Sequence, residues 1–165
     1  MNNTASVDIA KLLPPEHILL AIDWQSKKRV FEQISIVFEN IIDFPRDRFF
    51  TVLLERERLG STYIGEGVAI PHGCMEELQS PLCALALLKN PIQYGANDHG
   101  DGVVRALFFL LAPQNADKIH LSILGMFAEM AVNSELMEKL FASTSPQEAH
   151  TLIAAWAANQ GGAHE

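Results

Sequence analysis

Two rhythms of apolar residues run along this chain. Val30, Phe31, Ile34, Val37, Phe38 and Ile41 recur at three- and four-residue steps, with Lys27, Lys28, Glu32 and Asn40 between them, which is the stripe of a half-buried helix. Ser26 precedes it as an N-cap. A second helix is expected from about Pro45 to just before Gly60, a residue suited to a C-terminal cap. The other rhythm is continuous: "LCALALL", Leu82 to Leu88, and "VVRALFFLLA", Val103 to Ala112, suit central strands covered on both faces. "HILLAI", His17 to Ile22, predicts a first strand after a loop marked by Pro14 and Pro15. "YGANDHGDG" between the two long runs reads as loop.

The helical rhythm returns in "NADKIHLSILGMFAEMAV", where Ile119, Ile123, Met126, Phe127 and Met130 share a face and Asn115 or Asp117 is the expected cap. His120 falls in or near its first turns. Two shorter helices follow, one opening near Ser134 and one at "TSPQEAHTLIAAWAA". There Thr144 or Ser145 caps, Pro146 takes the first helical position and Glu148 brings early negative charge. The tail "NQGGAHE" is expected to fray. Without repeats, low-complexity tracts or a linker, the order of strands and helices implies a single α/β layered domain over residues 1–165.

Composition narrows the function. A chain of 165 residues with 48% hydrophobic and 19% charged positions builds one substantial core. The longest apolar run, Val103 to Pro113, contains Arg105 and is too short to cross a bilayer. "MNNTASVDIA" lacks the charged start and apolar centre of a signal peptide, so a cytoplasmic location is expected. A net charge of -8 argues against direct nucleic-acid binding, which depends on basic residues neutralising phosphates. It favours a basic protein partner or none. Cys74 and Cys83 fit a reducing compartment and neither a disulfide framework nor a zinc site. Cys83 reads as a core thiol, and Trp24 and Trp156 as packing residues.

The densest candidate chemistry lies in "GSTYIGEGVAIPHGC", Gly60 to Cys74. Val68, Ala69 and Ile70 read as a short strand that delivers His72 at its end. Pro71 fixes its own φ and biases Ile70 towards an extended conformation, while Gly73 lets backbone amides approach whatever the ring holds. One reading makes His72 a turn residue satisfied by a backbone carbonyl. The other makes it a pre-organised imidazole nucleophile. Metal binding lacks a second histidine or carboxylate pair at ligand spacing, and neither a G-x-S-x-G elbow nor a P-loop occurs. Asp98, His99 and Asp101 sit in ordinary Gly-rich turn chemistry, and the calcium-loop pattern fails.

"LLERERLGSTYIGEGVAIPHG", Leu53 to Gly73, resembles the phosphorylation-site signature of the type 2 IIA proteins of the bacterial phosphoenolpyruvate-dependent phosphotransferase system. The resemblance runs from about Ile9 to Trp156 and is nearest to the nitrogen-regulatory branch. It implies a central mixed β-sheet with helices on both faces and a phosphoryl group carried on a histidine, here His72. It also implies His120 as a second site histidine that stabilises the phosphoryl group, and Arg56 as an anion-stabilising cation. Gly65, Gly67, Pro71 and Gly73 would support the phosphoryl loop. No cofactor or metal is implied. The implied partners are an HPr/NPr-like phosphocarrier protein and regulated targets such as kinases or transporters. A sugar-specific component passing phosphoryl to a permease's IIB domain, and a binding module that takes no phosphate, are the alternatives. The residues themselves also allow His120 to be a packing residue, and Arg56 to lie on a solvated helix face with Glu55 and Glu57. One departure stands out: family members commonly place a basic residue where this chain has Cys74.

Overall fold

A computed structural model describes residues 7–95 and 102–162 of the chain. The Asp98–Asp101 part of the expected loop lies outside the described residues. Six helices and six strands follow in order: α1 Ile9–Leu12, β1 Ile18–Ile22, α2 Lys27–Ile42, α3 Arg46–Leu59, β2 Tyr63–Gly65, β3 Val68–Ala69, β4 His72–Met75, β5 Leu82–Gln93, β6 Val103–Pro113, α4 Asp117–Ala131, α5 Ser134–Ala142 and α6 Pro146–Gly162. They form a single domain whose mixed sheet is flanked by helices.

Strand β6 is the organiser. One edge pairs antiparallel with β5, which in turn pairs parallel with β1; along the other edge β3 and then β4 pair parallel, and β2 folds back antiparallel on β3. Alternate residues of β5 and β6 feed two cores, as the two-residue side-chain period requires. Cys83, Leu85, Leu87, Ala106, Phe108, Leu110 and Ala112 meet α1, α4, α5 and α6 on one face. Ala84, Ala86, Leu88, Leu107, Phe109 and Leu111 meet α2 and α3 on the other. Burial on both faces is why these strands read as unbroken apolar runs.

The long helices start and stop near the expected places. Ser26 Oγ accepts the Arg29 amide at 3.1 Å, and Pro45 and Gly60 bracket α3. At α6, Ser145 Oγ accepts the Glu148 amide at 3.1 Å as the N-cap, and the Glu148 carboxylate accepts the amide of Thr144, the residue before the cap, at 2.9 Å, a capping-box contact shifted outward by one residue.

Several expectations need correction. α4 begins after Ala116 with no side-chain cap; Asp117 is its first helical residue, and Asn115 sits outside it with φ of 67°. Ile119 is 37% exposed, not core. The Pro14–Pro15 segment carries one 3-10 turn and is preceded by α1, which buries Ile9, and by the buried Leu13 that follows that helix. β5 continues past Leu88 to Gln93 with a register shift between Leu87 and Ile92. At the C-terminal end, α6 continues into the expected tail as far as Gly162, and residues 163–165 lie outside the described residues.

Candidate functional site

His72 opens a strand instead of ending one. The edge laid against β6 is broken at Ile70–Pro71: Val68 and Ala69 pair with Ala106 and Leu107, and pairing resumes at His72 with Leu110. Proline has no amide to give a ladder, but its carbonyl accepts the Leu110 amide at 3.0 Å, so pairing resumes directly after it. Along β4, Gly73 and Met75 turn towards α3, and His72 and Cys74 to the opposite face, where α4 arrives. A Cβ on Gly73 would lie 2.6 Å from Val52 Cγ1 of α3. Close approach of a helix therefore explains this glycine.

The His72 ring is half-buried, and its Nδ1 lies 2.5 Å from the Ile70 carbonyl oxygen. A carbonyl only accepts, so Nδ1 carries the proton and Nε2 keeps its lone pair. Burial holds the His72 pKa below the ordinary histidine value, with the nearby Arg56 and His120 charges acting in the same sense; the Ile70 carbonyl and Glu57 oppose them. The ring is thus neutral at neutral pH.

α4 brings His120 to the same place. The two imidazoles stand 5.5 Å apart, centroid to centroid, at 76°, and His120 Nδ1 is 3.8 Å from Cys74 Sγ. Burial lowers the His120 pKa against the pull of Asp117. The Cys74 thiol, exposed on β4, has its pKa raised by burial of the sulfur and then by Asp117. Arg56 is half-buried near the end of α3, donates from Nη1 to the Gly60 carbonyl at 2.9 Å, and lies close enough for its charge to bear on His72.

The remaining expected loop residues serve the backbone. Gly65 pairs with Val68 across a two-residue turn, Glu66–Gly67, with φ of 58° and 74°, the positive-φ signature of a tight hairpin. The Gly67 carbonyl accepts the Arg105 and Ala106 amides. Pro71 is buried at the break in the edge.

Glu57 does not lie on a solvated helix face: it is 7% exposed. It follows Phe49 and Leu53 at steps of four on the buried stripe of α3, a spacing legible in the sequence. Among the described residues no group of three His, Cys, Asp or Glu side chains could hold a metal ion, and no helix is long and apolar enough to cross a membrane.

Residues 11–156 match the family described as phosphoenolpyruvate-dependent sugar phosphotransferase system, EIIA 2. The chain belongs to that family. It is 34% identical over 146 residues to a nitrogen regulatory protein of Bradyrhizobium diazoefficiens, covering 88% of this chain and 94% of that one. It is also 34% identical over 155 residues to the nitrogen regulatory protein of Escherichia coli K12, covering 92% and 93%. The crystal structure of nitrogen regulatory protein IIA-Ntr from Neisseria meningitidis superimposes with a TM-score of 0.80 at 33% identity, over 88% of this chain and 98% of that one. A phosphoryl-transfer component of IIA type is the general function this membership carries.

Proposed function

We propose that the chain is a cytoplasmic regulatory phosphocarrier. His72 accepts a phosphoryl group from a histidine-phosphorylated, HPr/NPr-like carrier protein, and the phosphorylation state governs binding to target proteins. The observation that carries this reading is the Nδ1 contact to the Ile70 carbonyl, which leaves a neutral Nε2 as the one free nucleophilic atom of a ring fixed at the sheet edge. The Nε2 lone pair forms the new N–P bond as the donor imidazole leaves with the electrons of the old one.

Such a transfer needs little from the protein beyond an in-line nucleophile and donors for the phosphoryl oxygens. His120 is placed to be one. In this reading Nδ1 of His120 accepts from the Cys74 thiol 3.8 Å away, which leaves the ring proton on Nε2 to serve a phosphoryl oxygen. Arg56 supplies the cation. Exposed Ile119 and Leu121 flank His120 and offer the carrier an apolar contact.

The test is incubation with phosphoenolpyruvate, enzyme I and the carrier, followed by intact mass. One acid-labile phosphoryl group is expected on the wild type and none on folded His72→Ala. His120→Ala should keep the acceptor but slow its labelling by roughly a hundredfold, the loss of one preorganised donor, with His120→Gln recovering part. Labelling that survives His72→Ala would move the acceptor elsewhere, and coincident time courses for the His120 variants would make His120 a packing residue. Rapid passage of the label to a IIB domain would favour a sugar-specific component over the regulatory role.

A further inference from the structure

Three separate segments converge on the buried carboxylate of Glu57. Lys27, the first residue of α2, places Nζ 2.9 Å from Oε2. Thr62, just before β2, donates its amide to Oε2 at 3.1 Å and its hydroxyl to Oε1 at 2.7 Å. Tyr94, just after β5, donates to Oε1 at 3.1 Å, and its ring lies under the Lys27 ammonium at 4.4 Å. A buried ion set of this kind adds little stability over apolar residues of the same volume, because desolvation offsets the attraction. What it does supply is geometry.

That geometry leads to the histidine. The Thr62 carbonyl accepts the Ile70 amide at 3.0 Å, and the Ile70 carbonyl accepts the proton of His72 Nδ1. The residue that fixes the ring is therefore itself held by the residue that Glu57 grips at two atoms. Pro71 cannot donate a ladder bond, so Ile70 has a proline on its C-terminal side at the break in the sheet edge. Thr62 is the restraint from the other direction. The charge of Glu57 is also felt at His72, in the sense opposite to Arg56.

We propose that Glu57 is a positioning residue: through Thr62 and the Ile70 backbone it holds the carbonyl that keeps His72 in the Nδ1–H tautomer with Nε2 free. The rate consequence rests on the acceptor reading given above, whereas the tautomer consequence does not.

The two are measured separately. Long-range nitrogen–proton NMR of the histidine rings, at a pH where they are neutral, reports the His72 tautomer without any carrier; labelling by the phosphorylated carrier reports the rate. Wild type should show a single Nδ1–H pattern. Glu57→Gln, with one acceptor where the carboxylate has two, should give mixed tautomers and a rate lower by roughly fivefold to tenfold, the net worth of about one hydrogen bond. Tyr94→Phe removes one donor and keeps the ring, and Thr62→Val removes the hydroxyl link. They guard against a Glu57 variant that fails to fold, and both should shift the tautomer signal in the same direction. Lys27→Met, altering the most exposed member, should shift it least. A single Nδ1–H pattern in the folded Glu57→Gln, Thr62→Val and Tyr94→Phe proteins would overturn the proposal. An unlabelled wild type with the tautomer shift intact would instead remove only the acceptor reading.

Discussion

Gly73→Ala isolates how tightly β4 is wedged against α3. The backbone there does not have the left-handed φ that restricts alanine, so the objection is packing alone. The added Cβ would stand 2.6 Å from Val52 Cγ1, 3.6 Å from the Val52 carbonyl oxygen and 3.8 Å from Leu111 Cδ2. Carbon atoms rest about 3.5–4.0 Å apart, so Val52 would have to retreat by about 1 Å. It is 8% exposed and β-branched, with little rotamer freedom on a helix, and the strain passes to the backbone. Overpacking of this kind costs about 1–3 kcal/mol, offset by roughly 0.4–1 kcal/mol from the stiffer unfolded chain. A net loss of about 0.5–2 kcal/mol, a few degrees in Tm for a chain this size, is expected. Val52→Ala removes the opposing methyl, at about 1–2 kcal/mol for two buried carbons. In that background Gly73→Ala should be neutral or stabilising. Urea unfolding of the four proteins measures the coupling, expected at about 1–3 kcal/mol. Equal costs of Gly73→Ala in both backgrounds would refute the wedge. The residue before it is His72, so the single variant should also slow phosphoryl acceptance and the double variant restore it.

Burial depresses both site histidines, so below the ordinary value of about 6.5 the unfolded chain binds protons that the folded chain refuses. Their contribution is present above the unfolded pKa and is lost as pH falls through the folded values; Tm between pH 5 and 8 should fall on the acid side, and His72→Gln with His120→Gln should flatten that slope, parallel curves counting against it. Cys74 is exposed but its pKa is raised, first by burial and then by Asp117: iodoacetamide followed by intact mass should label it more slowly than a free thiol at neutral pH and faster in Asp117→Asn, while buried Cys83 should react only after unfolding. Ser145→Ala should cost about 1 kcal/mol by removing the side chain that caps α6, read as a lower urea midpoint; no shift would mean the cap is idle.

Much of this architecture was written in local pattern. The stripes of α2 and α3 and the unbroken runs of β5 and β6 reflect one-sided and two-sided burial, which leave distinct periods in a sequence. β4 left none, because "HGCM" combines a half-buried histidine, a glycine chosen for a neighbouring helix and an exposed thiol; only pairing with β6 makes it a strand. His72 and His120 are 48 positions apart, and their juxtaposition depends on α4 crossing the face that β4 presents. The resemblance to a known signature supplied what spacing could not. Glu57 was hidden by its charge: in "ERER" it looks like one more solvated residue, although its distance from Phe49 and Leu53 places it inside. Asn115, an attractive cap by residue type, was displaced by its own positive φ.

Strand β6 is paired along both edges, and Val104 and Ala106 to Ala112 have no exposed surface. Its amides should be among the last to exchange with solvent deuterium, since they open only with the whole molecule. His72 is stitched to that strand through Leu110. A group arriving on the imidazole therefore meets the slowest-opening part of the protein, and local melting is a poor route for any message it carries. What changes on such a foundation is the electric field at one spot on a rigid face, and a partner would read charge there, not altered shape.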